Sequence, residues 1–491
     1  MRLEFVFSRL RAIARRLHGA LATLASTALV AGCMTLGPDY ARPEAPVPAT
    51  VGSAEKAAAE IALPSWELYF TDPTLRELIA AALEHNRDLR IAVSRVEEAR
   101  ALYGIQRAER FPSFSLNAEE TAARAPLAGA PDNVVARRYD VFLGLLSYEL
   151  DLWGRVARLT ESALASYLAT EYGSRAVRLS LIADVANAYF SVRALEERAE
   201  FARRTATARK EGLRLIERRM AVGVASRLDL LQAQSAYEAA RADAAALSRL
   251  AANARNALAV LVGRPVTLPP PSGAALEDLG LPPPLPEGLS SEVLLYRPDV
   301  LQAEQNLVAA NANIGAARAA FFPRISLVGT LGFASPELDQ LFDGNRRAWT
   351  FIPSISLPLF TGGELSANLD LAQARTVTAV AQYERAIQQA FAEVADVLSD
   401  QQWLAEQYAA QARLAEREAE RLRLAQARYN AGLIGYLEVL DAQREHYNAQ
   451  QALLEIKRAR LAAAAQAYKA LGGDIATTAT ARAKAASTAT R

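Results

Sequence analysis

Two pairs of short segments alternate apolar and polar residues with period two. In the first pair Phe114, Leu116 and Ala118 alternate with Ser113, Ser115, Asn117 and Glu119. The pattern predicts a strand at about 112–124, a Pro/Gly loop at 125–133 and a second strand at about 137–150. In the second pair Ile325, Leu327, Gly329, Leu331 and Phe333 alternate with Arg324, Ser326, Val328, Thr330 and Gly332, predicting a strand at about 323–334. A loop at 335–347 leads to Trp349, Phe351, Ile355, Leu357 and Leu359, alternating with Thr350, Ser354 and Ser356, a strand at about 348–360. Pro353 and Pro358 are awkward in a central strand and predict a bend or a local loss of pairing. Each segment is long enough to cross a membrane as a β-strand, which takes about 9–11 residues. Taken alone, the alternation favours an ordinary half-buried sheet. Four strands cannot close a barrel, and an open edge cannot sit in lipid, so strands that span require partners from other copies.

The rest of the chain has helical character. Helix is expected from about Thr74 to Arg110. Glu364 to Ala431 holds 68 residues with neither Gly nor Pro, a rise of about 100 Å if continuous. Arg155 to Val222 has the same length with Gly173 and Gly212 but no Pro. Shorter helices are expected at 226–262 and 436–471. Ala fills many of their apolar positions, which permits close, coiled-coil-like packing; a solvated stalk differs little from this in sequence.

The chain repeats once. The segment Ala108–Leu116, containing Phe111-Pro112, recurs as Ala319–Leu327 at an offset of 211, and Gly223–Gln234 recurs as Gly432–Gln443 at 209. Val262-Gly263 and Leu471-Gly472 also keep 209, and Asp88 and Asp299 keep 211. The organisation expected is a first repeat at 74–263, a Pro-rich linker at 264–291, a second repeat at 292–473 and a disordered Ala/Thr-rich tail at 474–491.

Composition narrows the chemistry. Lys plus Arg is 55 and Asp plus Glu is 54, so the basic excess of a nucleic-acid binder is missing. One Cys and three His leave no disulfide, triad or metal constellation visible. An enzyme is not expected, nor any cofactor. The start is basic, with Arg2, Arg9, Arg11, Arg15 and Arg16, and the apolar run Gly19–Ala31 that follows is too short to span a bilayer. Residues 1–32 therefore read as a signal peptide. Val30-Ala31-Gly32-Cys33 resembles the lipobox of bacterial lipoproteins, which implies a covalent lipid on Cys33, an extended lipidated segment at 33–73 and, with Met34 next, sorting to the outer membrane. No later stretch of about 18 residues is free of charge, so a membrane crossing has to be made by strands.

Together these features resemble the outer-membrane efflux proteins of the TolC superfamily, specifically NodT-type lipoproteins of resistance-nodulation-division pumps. The local matches are Gly37-Pro38-Asp39-Tyr40-Ala41-Arg42-Pro43, Tyr296-Arg297-Pro298-Asp299-Val300, Phe322-Pro323 and Pro353–Phe360. The resemblance implies a mainly α fold with a small membrane β part: a TolC-like homotrimer whose three protomers share a 12-stranded β-barrel above a periplasmic α-barrel. It implies a lipid-anchored outer-membrane location, a periplasmic membrane-fusion adaptor, an inner-membrane RND-type pump, contact with outer-membrane lipid, and export of drugs or other toxic small molecules. It places Val222, Gly223, Ser226, Leu228, Ala431, Gly432, Leu437 and Leu440 at an adaptor-contacting tip. It also places Asp229, Tyr429, Glu438 and Asp441 at a periplasmic gate, where Tyr429 and Asp229 hold helix hairpins closed and Glu438 and Asp441 ring the aperture. A family Arg that bonds across protomers soon after the second tip glycine is replaced here by Ile434 and Gly435, so that salt-linked closure is not implied. The glycines and Ser226 read equally well as turn and cap residues, and Glu438 and Asp441 as a solvated helix face. Type I protein secretion and a pore-free periplasmic coiled-coil lipoprotein are the alternative functions.

Overall fold

The computed structural model describes residues 36–51, 63–124, 135–269, 276–280, 285 and 288–473. The signal peptide, Cys33, the loop at 125–133, part of the linker and the tail at 474–491 lie outside the described residues. In chain order the first repeat contains α1 (Pro73–His85), α2 (Arg87–Ala108), β1 (Phe114–Arg124), β2 (Val135–Leu150), α3 (Arg155–Ala221) and α4 (Arg227–Val262). The second contains α5 (Pro298–Ala319), β3 (Arg324–Ser335), β4 (Arg347–Ser356), α6 (Glu364–Asn430) and α7 (Tyr436–Ala470). No helix among the described residues is long and apolar enough to cross a membrane.

The single helix expected from Thr74 to Arg110 is two helices, broken at Asn86. Asp72 starts α1 by accepting from the backbone N–H groups of Thr74 and Leu75, with Pro73 in the first turn. Asn86 then serves three neighbours: its N–H closes α1 on Ala82 O, its Oδ1 accepts from Leu89 N at 2.9 Å, and its Nδ2 donates to Leu261 O at 2.8 Å. Gly263 ends α4 with φ 79°, and a Cβ there would stand 2.3 Å from His85 O, so only glycine fits.

The second repeat solves the same problem with a charge. Arg297 occupies the position matching Asn86. Its Nη1 donates at 2.7 Å to Ala470 O, the carbonyl matching that of Leu261. Its Nη2 reaches Asp299 at 2.8 Å and Glu393 at 2.6 Å. Arg297 is 3% exposed, so its charge has to be paired, and Asp299 and Glu393 both do so. The Arg297-Pro298-Asp299 motif is thereby a structural clamp around a buried guanidinium.

The described residues divide into two compact units, those within 36–43, 96–170 and 303–383 in one and those within 44–95, 171–302 and 384–473 in the other. The first unit holds the sheet and a strap at its N-terminal side. Pro38 O accepts from Asn311 Nδ2 at 3.0 Å, and Arg42 grips Glu304 with two hydrogen bonds of 2.8 and 2.7 Å. Gly37 lies so close to Gly315 that a Cβ on it would stand 2.8 Å from Gly315 Cα. The Gly37–Pro43 motif thus lays the strap along α5. The second unit holds the helical turns, and in it Thr50–Val51 pairs antiparallel with Leu289–Ser290. The N-terminal segment also contains the short helix Trp66–Tyr69.

Candidate functional site

Two regions bear on function. The first is the four-stranded antiparallel sheet, in the order β1-β2-β3-β4. Directly opposed residues share a face. Phe114↔Leu145, Leu116↔Leu143 and Ala118↔Val141 continue across as Val141↔Phe333 and Leu143↔Leu331, then Phe333↔Arg347 and Leu331↔Trp349. One face is therefore apolar over most of its length. The other carries Ser115, Asn117, Glu119, Asp140, Gly144, Thr330, Thr350 and Ser354, in line with the period of two.

The expected break in pairing at Pro353 does not occur. Pro353 sits opposite Leu327 in an unshifted ladder, and β4 ends at Ser356, before Pro358. β4 is an edge strand, where a missing N–H is tolerated. The irregularity falls instead between Leu145 and Tyr148 of β2, where the register shifts by an extra residue. That bulge returns Tyr148 and Leu150 to the apolar face, opposite Leu327 and Ile325. Gly332 is forced by close approach, since a Cβ there would lie 2.0 Å from Val141 O. At the helical end of the sheet, Glu149 binds Arg155 at 2.8 Å and Arg324 at 2.7 Å, and Trp153 Nε1 donates to Pro323 O at 2.8 Å. The sheet still has two open edges, at β1 and β4.

The second region is the pair of helical turns. Both are Schellman caps. Val224 N donates to Arg219 O and Gly223 N to Met220 O; Leu433 N donates to Arg428 O and Gly432 N to Tyr429 O. Gly223 and Gly432 take φ 77° and 75°. Val222, Val224, Leu228, Leu433 and Leu437 leave apolar side chains exposed around these turns, and Ala431 is exposed beside Gly432. Leu440 differs: it is half-buried and packs against the apolar cluster beneath the turns.

The four residues assigned to the gate fall into three environments. Asp229 closes a capping box, accepting from Ser226 N at 2.9 Å and Ser226 Oγ at 2.7 Å while Asp229 N donates back to Ser226 Oγ. Tyr429 does not meet Asp229 within the protomer. It is buried, its ring 5.5 Å from that of Tyr436, with the Arg219 guanidinium 4.8 Å above it. Ile216, Ala233 and Val439 complete this cluster, so α3, α4, α6 and α7 all contribute. Tyr436 fits because α3 carries Gly212, where a Cβ would stand 2.9 Å from the Tyr436 hydroxyl.

The repeat explains the third environment. Gly435 stands where Ser226 stands in the first copy and provides no side-chain cap. Glu438, matching Asp229, is therefore left on the surface. Asp441 is not a bare carboxylate: Oδ2 accepts from Arg421 at 2.5 Å and Oδ1 from Arg444 at 2.6 Å. Arg421 also reaches Glu418 at 3.1 Å. Glu438 and Asp441 line a cleft of about 1070 Å³ with five arginines (Arg209, Arg417, Arg421, Arg428, Arg444) against four carboxylates, so its field is mixed rather than acidic. Burial holds the Arg209 guanidinium below its ordinary value. The Asp441–Arg444 pair at i,i+3 was visible in sequence; Arg421, on another helix, was not. Among the described residues no group of three His, Cys, Asp or Glu side chains is placed to hold a metal.

Burial beside Phe201 depresses the His446 imidazole below its ordinary value, with Glu418 pulling the other way. The unfolded chain therefore binds the extra proton more readily below about pH 6.5. Stability is expected to fall as pH drops through that window. The loss of thermal midpoint between pH 7.5 and 5.5 should be smaller in His446→Gln than in the parent; equal losses would remove His446 as the cause.

A sheet with one apolar face and two open edges, built with long helix pairs by two copies of one pattern, defines a subunit of an outer-membrane channel. The chain belongs to the outer membrane efflux protein family, whose profile matches residues 78–264 and 289–473. It is 44% identical over 456 residues to the solvent efflux pump outer membrane protein SrpC of Pseudomonas putida, covering 91% of this chain and 96% of that protein. It is 41% identical over 456 residues to outer membrane protein OprJ of Pseudomonas aeruginosa, covering 91% and 94%. The open-state MtrE outer membrane channel of Neisseria gonorrhoeae superposes with a TM-score of 0.81 at 41% identity, covering 90% of this chain and 99% of that one.

Proposed function

We propose that this protein is the passive outer-membrane duct of a tripartite efflux pump, carrying drugs, solvents or other toxic small molecules outward. The observation that carries the reading is the sheet: an apolar face with unpaired edges is stable in lipid only when other copies close it. Three protomers supply twelve strands. The helices then form the periplasmic conduit, and the exposed apolar turns around Gly223 and Gly432 meet the adaptor of an RND-type pump. Cys33 carries a lipid anchor, and no cofactor takes part. Relatives named for solvent and toluene efflux support the substrate class. Native mass spectrometry of protein extracted from outer membranes tests the assembly. A lipidated trimer is expected; a stable monomer or dimer would leave the edges open and sink the duct.

Glu438 and Asp441 line the aperture in this reading, with unequal effects. Asp441→Asn removes the charge shared by Arg421 and Arg444 and turns one of its two acceptor oxygens into an NH2 donor facing a guanidinium, whereas Glu438→Gln removes one solvated charge. One charge pair in water is worth about 1 kcal/mol, roughly a fivefold effect. Asp441→Asn is expected to lower the cation-to-anion permeability ratio about fivefold in planar bilayers, and Glu438→Gln to lower it less. Unchanged selectivity in both variants would take these residues out of the aperture.

A further inference from the structure

The apolar face of the sheet ends, at its loop side, in a row of arginines. Arg124 of β1 lies opposite Val135, two residues before Arg137 of β2. Two residues on, Tyr139 lies opposite Ser335 of β3, and Phe333, two residues from Ser335, lies opposite Arg347 of β4. Arg124, Arg137, Ser335 and Arg347 thus form one diagonal, one residue per strand, shifting two residues at each step. With about 3.4 Å per residue and 4.8 Å between strands, that diagonal runs at about 35° to the strand axes. Strands tilted by about 45° in a membrane place a line of nearly this slope at constant depth. The loop-side ends step the same way: β3 ends opposite Tyr139, and β4 begins opposite Phe333, one step further in.

The next diagonal inward reads Ala122, Tyr139, Phe333 and Trp349, an aromatic row beside the cationic one. Beyond it come Glu120, Val141, Leu331 and Phe351, then Ala118, Leu143, Gly329 and Pro353. Aromatic side chains mark the boundary of a hydrocarbon layer, and the groups just outside it meet headgroups. Arg124, Arg137 and Arg347 are exposed, and none has an ion-pair partner among the described residues. Among the described residues Glu120, opposite Tyr139 and diagonal to Arg137, is the one carboxylate of this face nearby. Arg138, on the other face, is occupied by Asp140 at 2.8 Å.

We propose that the row Arg124–Arg137–Arg347 is a binding site for the phosphate groups of an anionic lipid in the outer leaflet; the proposal rests on the membrane-channel reading above. Guanidinium groups bind phosphate through two parallel hydrogen bonds, and three at one depth match a headgroup carrying more than one phosphate. The loop side faces outward because the opposite end of the sheet runs into the helices.

The test titrates the purified trimer in dodecyl maltoside with diphosphoryl lipid A, read by native mass spectrometry. Monophosphoryl lipid A and inorganic phosphate serve as comparison and competitor. The parent is expected to bind the diphosphoryl form more tightly than the monophosphoryl form. The combined Arg124→Gln, Arg137→Gln and Arg347→Gln variant is expected to bind about tenfold more weakly or worse, and Arg138→Gln to bind like the parent. If the triple variant yields no trimer, the three single variants carry the same comparison. Equal binding by parent and triple variant, or an equal loss in Arg138→Gln, overturns the site. Displacement by millimolar inorganic phosphate overturns its assignment to lipid. Single-channel conductance of the same samples reads the duct separately. A conducting parent whose lipid binding ignores the three arginines overturns the lipid site alone; a non-conducting parent overturns both.

Discussion

Leu331→Arg is expected to weaken assembly of the proposed trimer in outer-membrane fractions, while Thr330→Arg, one residue away, is expected to assemble normally. The two positions differ only in face. Leu331 lies between Leu143 and Trp349 on the apolar side, and Thr330 between Gly144 and Thr350 on the polar side. A guanidinium on the lipid face costs about 2–4 kcal/mol at the middle of the bilayer and less toward its boundary, where Leu331 lies one row inside Phe333 and Trp349, and it costs least in a wet lumen. The cost recurs in every protomer of a shared barrel. Semi-native gels of membrane fractions read the outcome. Assembly of both variants would mean that the apolar face is not in lipid, and the opposite order would reverse the faces.

Tyr436→Ala is the second large effect. Tyr436 is 7% exposed and packs at once on Tyr429 and over the notch at Gly212. Removing a buried aromatic side chain costs about 3–5 kcal/mol. Here the loss falls where α3, α4, α6 and α7 meet. A lower thermal midpoint is expected, together with leakage of large hydrophilic antibiotics through the duct. Tyr436→Phe keeps the ring and is expected to behave nearly like the parent. The Tyr436→Ala effect should persist in high salt, because it is packing that is lost. The selectivity change in Asp441→Asn should shrink in high salt, because solvent ions screen half-exposed charges. A Tyr436→Ala protein that melts and conducts like the parent would show that the aromatic cluster does not hold the turns together.

The division of the gate residues shows where residue-level reading reaches and where it stops. Ser226-x-x-Asp229 is a capping box legible in sequence, and the structure uses Asp229 in that role. The matching Gly435-x-x-Glu438 cannot cap through a side chain, which releases Glu438 to the surface. Resemblance alone joined Tyr429 to Asp229, yet Tyr429 lies under Arg219 and against Tyr436. Nothing local in Tyr429 announces Arg219, which lies more than 200 residues earlier in the chain on another helix. Asn86 shows the same limit. Its neighbours have helical character, and only its bond to Leu261 O on α4 gives the break its purpose.

The sequence by itself determined the two repeats, the four strands with their apolar and polar faces, the long helices and the glycine turns. Each of these depends on period, length and backbone freedom, which are properties of neighbours along the chain. Only the tertiary structure decided which strand tolerates proline, where the bulge falls, that Arg297 replaces Asn86 as a clamp, that Arg421 joins Arg444 on Asp441, and that three arginines share one diagonal. Those outcomes depend on register and on distant partners. A shift of one residue between strands, or of one turn between helices, would have changed every one of them without altering the local pattern.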